Sequence, residues 1–257
     1  MKIDKIQKTK SGKYNIYFGD SKITTYDDVL INTGILYKKE LNDSILEQIE
    51  KQNNYYDAYN KTISYIMKHQ RSKKEIEEYI AKFELNKDDE INILNKLQEI
   101  GLINDLNYVR AYISDSVNLS NKGPYKIKQE LINLGIDENL VEEEISKIDF
   151  DIINDKLIKL IEKKIRSNHN HSEYQMKQKI IIDMVNLGYD RDTISNILDN
   201  YEIDDSNLLY NDYDKLYNKL SKKYNDNELI QKIKQKLYVK GYDINSINEL
   251  INKKKND

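Results

Sequence analysis

A short segment that repeats at a constant interval places the strongest constraint on the fold of this chain. The sequence LGID at 134–137 recurs as LGYD at 187–190 and as KGYD at 240–243, with the glycines 53 residues apart both times. A fixed period of this length is typical of tandem structural repeats. The chain is therefore predicted to be a repeat protein.

Each copy predicts two helices joined by a three-residue turn. In the first copy, Ile127, Leu131 and Leu134 form an apolar stripe at helical spacing. Gly135 can adopt the left-handed conformation that ends a helix, and Asp137 is a good N-cap for the next helix. Asp190 and Asp243 are expected to cap the equivalent helices. The residues after the glycines, Ile136, Tyr189 and Tyr242, are expected to fold back onto the preceding turn.

A weaker copy precedes these three, with Glu84 in the place of the glycine. A helix that ends there lacks the residue that enters the left-handed region without strain. We expect its end to be built differently.

The period is too long for two short helices, so each repeat is predicted to contain a third. Candidates carrying apolar residues three or four apart lie at 55–69, 105–118, 150–167 and 208–224. The fold class is accordingly mainly α, with about four tandem three-helix repeats forming an elongated curved array. The predicted repeats are 53–101, 102–149, 150–203 and 204–257.

Residues 1–52 show a different pattern. Apolar residues that partly alternate, separated by the turn sequences KSGK and FGDS, predict a small antiparallel β meander. Residues 26–50 look helical, and we expect the boundary between this region and the first repeat near residue 52.

Composition supports a thin helical protein without a large core. The chain has 39% hydrophobic and 33% charged residues, with one proline, eight glycines and no cysteine. A chain without cysteine has no disulfides or thiolate sites and suits a reducing compartment. With neither a signal peptide nor a membrane-spanning run apparent, the expected location is the cytoplasm. The net charge of −3 argues against nucleic-acid binding through bulk positive charge.

The sequence offers few residues for catalysis. It contains no GxxxxGK[ST], GxGxxG or GxSxG motif. The histidines are His69 and the pair His169 and His171, which would bind a metal only if acidic residues converged on them. A solvated connector is the favoured interpretation of that pair. We expect no enzymatic activity, cofactor or metal.

Lysines recur along the middle helix of each predicted repeat. Stacking the repeats would align them into a basic stripe, but such lysines are equally expected on the solvated face of an amphipathic helix. Both interpretations stay open. The 21 tyrosines are able to stack on nucleobases, although tyrosine at helical spacing more often packs in a core.

Three motifs in fixed order resemble those of the RecX family of recombination regulators. They are RSKKEIEEY at 71–79, GLINDLNY at 101–108 and KGPYKIKQELINLGID at 122–137. The resemblance is strongest over residues 60–150 and extends in pattern to about residue 251. The amino-terminal region and fourth repeat are similar to those of longer members from low-GC Gram-positive bacteria.

This resemblance implies a non-enzymatic, monomeric protein that binds the RecA filament on single-stranded DNA. It implies restraint of the filament's ATP hydrolysis, strand exchange and coprotease activity, with no catalytic residue and no membrane contact. Motif positions expected to face the filament or DNA are Arg71, Lys73, Arg110, Lys122, Lys126 and Lys128. Reversing the charge of the last three is expected to weaken filament binding without altering helicity or melting.

Two alternatives remain at this stage. A DNA-binding repeat protein that acts without RecA would show salt-sensitive affinity for bare DNA. A helical scaffold for another partner would bind neither DNA nor filament.

Overall fold

The computed structural model describes residues 1–256, which are mainly helical with one small sheet. The strands are β1 Lys5–Lys8, β2 Tyr14–Phe18 and β3 Ser21–Thr25. The helices are α1 Asp27–Asn32, α2 Asp43–Ile66, α3 Lys73–Ile80, α4 Lys87–Glu99, α5 Asp105–Leu119, α6 Pro124–Asn133, α7 Glu138–Ser146, α8 Phe150–Arg166, α9 Glu173–Asn186, α10 Arg191–Leu198, α11 Ser206–Leu220, α12 Asp226–Val239 and α13 Ile244–Asn256. The predicted fold class, mainly α with an N-terminal meander, is confirmed, and the helices predicted at 105–118, 150–167 and 208–224 match α5, α8 and α11 to within a few residues.

The chain forms two compact units. One contains Met1–Arg110 and Ile132–Leu140, and the other contains Ala111–Leu131 and the residues from Val141 onward. After the meander the helices follow one another in triplets: the second half of α2 with α3 and α4, then α5–α7, α8–α10 and α11–α13. The second triplet contributes residues to both units.

The amino-terminal sheet is an antiparallel meander in the order β1-β2-β3, in which Ile16 pairs with Ile6 on one side and Ile23 on the other. Ile16 is fully buried. It packs with residues of α1 and α2, including Leu30 and Ile49, because a three-stranded sheet needs a second layer to cover its apolar face.

Helix α2 differs from the sequence prediction. We expected helix over 26–50 and a boundary near residue 52, but α1 is short and α2 continues through that position from Asp43 to Ile66. No glycine or proline interrupts this stretch. Ile49 belongs to the core under the sheet, whereas Ala58 and Ile66 belong to the core of the first triplet. One continuous helix therefore serves both cores, so the prediction of a boundary there is wrong.

The predicted helix-turn-helix unit is confirmed in the three stronger copies. Gly135, Gly188 and Gly241 have φ values of 81°, 91° and 84°. The following residues are buried, with Ile136, Tyr189 and Tyr242 only 3–4% exposed. The capping aspartates accept hydrogen bonds from the amides three residues later, from Leu140 to Asp137 at 3.2 Å, from Thr193 to Asp190 at 2.8 Å and from Ser246 to Asp243 at 2.9 Å.

The end of α3 is built differently, as expected from Glu84. A 3-10 turn, Ala81–Phe83, follows the helix, and Glu84 then takes the left-handed conformation with φ 52°. Asn86 caps α4 by accepting a hydrogen bond from the Asp89 amide. The left-handed turn is thus retained without glycine, at the cost of backbone strain.

Candidate functional site

Contacts between successive triplets recur in the same form. The start of the middle helix of one triplet touches the glycine turn of the next, and we call each such contact an inter-repeat joint. The hydroxyl of Ser72, which caps α3, donates to the Leu134 carbonyl at 2.8 Å, and that of Ser172, which caps α9, donates to the Lys240 carbonyl at 2.8 Å. At the joint between the second and third triplets, Gly123 N–H donates directly to the Leu187 carbonyl at 2.7 Å.

The turn glycines make this close approach possible. A β-carbon built on Gly135 would lie 2.6 Å from Lys74 Cδ, and one on Gly188 would lie 2.4 Å from the backbone nitrogen of Lys126. The turn glycine therefore serves both the left-handed conformation and the packing of the preceding triplet. Glu84 lies in the first triplet. No triplet of this kind precedes it, so no earlier triplet packs on its turn.

Pro124, the chain's only proline, has a specific place in this pattern. At the first and third joints, the amide of the first helical residue is bonded to an aspartate: Lys73 N–H donates to Asp105 at 3.1 Å, and Glu173 N–H donates to Asp205 at 2.8 Å. Pro124 has no amide to donate. It lines a cavity together with Phe150, the first residue of α8, so an apolar surface replaces a hydrogen bond at the second joint.

Arg71 and Lys73, two of the predicted site residues, flank the capping residue Ser72. Arg71 Nη1 lies 3.1 Å from a Glu75 carboxylate oxygen, and its guanidinium lies 4.5 Å from the centre of the Tyr65 ring. Lys73 Nζ lies 4.0 Å from a Glu77 oxygen. Both cations therefore have acidic neighbours on α3.

Lys122 forms the most developed ion pair among the predicted residues. Its Nζ lies 2.6 Å from Glu130 Oε2 and 3.4 Å from the Tyr112 hydroxyl, which itself donates to Glu130 at 2.6 Å. The hydrogen bond to Glu130 raises the pKa of Lys122. Burial works to raise the pKa of Glu130, but the bonds from Lys122 and Tyr112 outweigh it, and the net pKa is lowered. The positive charge of Lys122 is thus locally compensated.

The remaining three predicted residues have different surroundings. Lys128 is paired with Glu142, and Arg110 lies exposed on α5. Lys126 has no ion pair or side-chain hydrogen bond within residues 1–256, and its backbone packs on Gly188. The structure therefore does not arrange Lys122, Lys126 and Lys128 as three free cations.

Two of the inter-repeat joints contain equivalent cavities. The cavity at the second joint is lined by Tyr125, Lys128, Tyr189, Asp190 and Thr193, among others. The cavity at the third joint is lined at matching positions by Tyr174, Lys177, Tyr242, Asp243 and Ser246. The sequence predicted that Tyr189 folds back onto the preceding turn but did not identify the cavity. The available signal was Tyr125, an aromatic residue one position after the proline.

The part of the chain that the structure describes contains no cluster of three or more histidine, aspartate or glutamate side chains that could hold a metal ion. Around His169 and His171, Asn168 donates to the His171 carbonyl at 2.8 Å and organises a turn. Over the same residues, no helix has the length and apolar character needed to cross a membrane.

Comparison with known proteins gives a consistent result. The family model described as RecX, second three-helix domain, matches residues 104–144. The chain is 30% identical to regulatory protein RecX of Streptococcus agalactiae over 96% of this chain and 97% of the relative. It is 33% identical to regulatory protein RecX of Bacillus cytotoxicus, covering 94% and 93% of the two chains.

Solved structures agree with these relatives. A crystal structure of regulatory protein RecX superposes with a TM-score of 0.65 at 26% identity, covering 77% of this chain and 98% of that chain. The structure of RecX from Lactobacillus salivarius superposes with a TM-score of 0.54 at 29% identity, covering 58% and 96%.

Proposed function

The chain belongs to the RecX family of regulatory proteins, and on that premise we propose that it binds the RecA filament on single-stranded DNA and restrains it. The restrained activities are ATP hydrolysis, strand exchange and coprotease activity. The observation that carries this proposal is similarity to relatives named regulatory protein RecX along nearly the whole chain. The protein acts by binding and not by catalysis.

Repetition of the joints supports binding to a repeating partner. Three joints follow one another along the chain, and in each the start of a middle helix packs on the next glycine turn. A repeating protein polymer offers the same surface many times, so several weak contacts add to a high overall affinity.

The charges favour a filament over bare DNA. The net charge is −3, and the cations of Lys122 and Lys128 are paired with glutamates. Duplex and single-strand binders depend on unpaired cations that replace phosphate counterions. We therefore expect weak binding to DNA that carries no RecA.

The test is RecA-catalysed ATP hydrolysis on single-stranded DNA with this protein added below the RecA concentration. The expected result is a rate that falls as the ratio of this protein to RecA rises. An unchanged rate at every ratio, with no co-sedimentation with filaments, would overturn the proposal. In parallel, binding of this protein to DNA without RecA is measured at two salt concentrations. The DNA-binding alternative requires that this binding be tight and sensitive to salt.

A further inference from the structure

The amino-terminal sheet has one face that packs on α1 and α2 and one face that does not. Successive side chains of a strand point to opposite faces. Ile16 is buried in the core under the sheet, so its neighbour Tyr17, which is partly exposed, lies on the other face. The register places Lys5 of β1 opposite Tyr17 on one side and Lys22 of β3 opposite it on the other. Side chains at directly opposite positions begin about 5 Å apart, so two lysines flank one aromatic ring.

A second row of polar side chains lies beside this one on the same face. It consists of Gln7, Asn15 and Thr24, which are opposite one another in the register. The Thr24 hydroxyl donates to Asn15 Oδ1 at 2.8 Å, and Asn15 Nδ2 donates to the Tyr17 hydroxyl at 3.4 Å. The amide of Gln7 is exposed and can both donate and accept hydrogen bonds. We call these six residues, Lys5, Gln7, Asn15, Tyr17, Lys22 and Thr24, the outer face of the sheet.

The outer face carries positive charge that is not compensated. Lys5 and Lys22 are exposed, and neither forms an ion pair within residues 1–256. None of the six side chains is a carboxylate. Six lysines and two aspartates give residues 1–26 a formal charge of +4, whereas the whole chain has −3. Unlike Lys122, which is paired with Glu130, these lysines are available to an anionic partner.

The combination of residues on the outer face favours a single-stranded nucleic acid as that partner. Proteins that bind single strands stack bases on aromatic side chains and hold the backbone with nearby cations. An exposed sheet face that carries an aromatic residue is one of the surfaces on which bases stack. In a duplex the faces of the bases are covered by stacking, so Tyr17 would have no base to contact. An acidic peptide would pair with the two lysines but would make no use of the ring between them.

We propose that the outer face binds single-stranded DNA, with one base stacked on Tyr17 and the adjacent phosphates held by Lys5 and Lys22. The inference rests on the proposed function only in taking the strand to be the DNA that the RecA filament carries. A site with two cations and one ring binds weakly by itself, which agrees with the weak binding expected for DNA without RecA. When the protein is held on a filament, the high effective concentration of the strand makes this contact significant.

Removing the two charges tests the phosphate contacts. The affinity for a fluorescently labelled oligothymidine is measured by anisotropy at several low salt concentrations. Each phosphate contact with a single strand contributes about 0.7 to the slope of log affinity against log salt, so Lys5→Gln with Lys22→Gln is expected to make the slope shallower by about 1.4. The matched control is Lys51→Gln with Lys68→Gln, which removes two exposed lysines that form no ion pair within the described residues. Equal losses of affinity in the two double variants would show that only net charge matters and would overturn the proposal.

Removing the ring tests the stacking. Tyr17→Thr replaces the ring by a residue that suits a strand and is expected to weaken oligothymidine binding roughly 5- to 100-fold, the range for loss of one stacked base. Tyr17→Phe keeps the ring and is expected to bind within about twofold of the wild type. Circular dichroism verifies that each variant is folded. Wild-type affinity in folded Tyr17→Thr, or tighter binding of a duplex than of the single strand by the wild-type protein, contradicts the proposal.

RecA assays with the same variants separate this inference from the proposed function. If the wild-type protein restrains RecA but the variants of Lys5, Tyr17 and Lys22 bind the oligonucleotide as the wild type does, this inference fails and the proposed function stands. If the same variants lose only filament binding, the outer face contacts protein and the inference also fails. If oligonucleotide binding depends on these three residues while RecA-catalysed ATP hydrolysis is unaffected by the wild-type protein, the proposed function fails and the binding site remains.

Discussion

Gly188 and Lys126 are packed backbone against backbone, so that a β-carbon on Gly188 would lie 2.4 Å from the Lys126 nitrogen. In the same joint the amide of Tyr125 donates to the Gly188 carbonyl at 3.0 Å. The second and third triplets are thus held together by main-chain contacts that tolerate no side chain at residue 188.

Gly188→Ala is expected to be strongly destabilising. It introduces the clash with Lys126 and also forces alanine into a conformation with φ 91°. Overpacking and left-handed strain each cost on the order of 1–3 kcal/mol, so we expect a loss of about 3 kcal/mol or more in the free energy of unfolding, measured by urea denaturation.

Gly101→Ala is the matched control for this variant. Gly101 also has a positive φ, 74°, but a β-carbon there meets nothing within 4 Å. Only the conformational cost remains, roughly 1–2 kcal/mol. Equal losses for the two alanine variants would contradict the importance of the close contact at Gly188.

The ion pair between Lys122 and Glu130 predicts a pH-dependent contribution to stability. The pKa of Glu130 is lowered and the pKa of Lys122 is raised in the folded protein. The glutamate contribution is therefore present above its unfolded pKa of about 4.3 and is lost as the pH falls through the folded value. Glu130→Gln is expected to lower stability by roughly 0.5–1 kcal/mol at pH 7.

Thermal melting at several pH values measures this effect. The difference between wild type and Glu130→Gln should be largest near neutral pH and shrink as the carboxylate is protonated. Glu78→Gln, at an exposed position on α3, serves as the control and should melt like the wild type at each pH. A difference that persists undiminished in strong acid would rule out the ion pair as its cause.

Charge reversal at Lys126 separates recognition from folding. Lys126 makes no ion pair or side-chain hydrogen bond within the described residues, and only its charge acts on Glu130. Lys126→Glu is therefore expected to lower the melting temperature much less than Lys122→Glu does. If its charge faces the filament, binding should fall roughly fivefold or more, as expected for a cation in a polar contact. Co-sedimentation with RecA filaments measures the affinity.

Lys122→Glu is the informative contrast. It places two carboxylates where a 2.6 Å ion pair stands, so we expect lower stability as well as any effect on binding. The three-residue reversal therefore mixes the two effects, and melting is not expected to stay intact. Unaltered binding by folded Lys126→Glu would assign Lys126 to the solvated face.

Local features were predictable because they depend on neighbouring residues. Gly135 and Asp137 specify a helix end and a helix start within three positions, and the structure has both. The β meander was predicted from the partial alternation of apolar residues around two turn sequences. Helix α2 was not predicted correctly, because Ile49 and Ala58 pack in different cores while the backbone between them stays helical.

The surroundings of the predicted site residues were not predictable from the sequence. Sequence pattern selected Lys122 and Lys128 as available cations, but their acidic partners Glu130 and Glu142 lie eight and fourteen residues away. Side-chain pairing across such intervals depends on how helices pack. For the same reason, Tyr125 alone did not reveal the cavity beside it, whose lining comes from separate segments of the chain.

By itself, the sequence determined the repeat, most of the helices, the caps of the glycine turns and the family, since each depends on residue type and short-range spacing. Tertiary structure alone decided that the preceding triplet packs closely on the repeated glycines and that most of the predicted cations are paired with carboxylates. It also decided that the buried hydroxyl of Tyr189 has no hydrogen-bond partner among the described residues. The physical reason is that close approach, charge compensation and hydrogen-bond satisfaction depend on atoms brought together from distant parts of the chain.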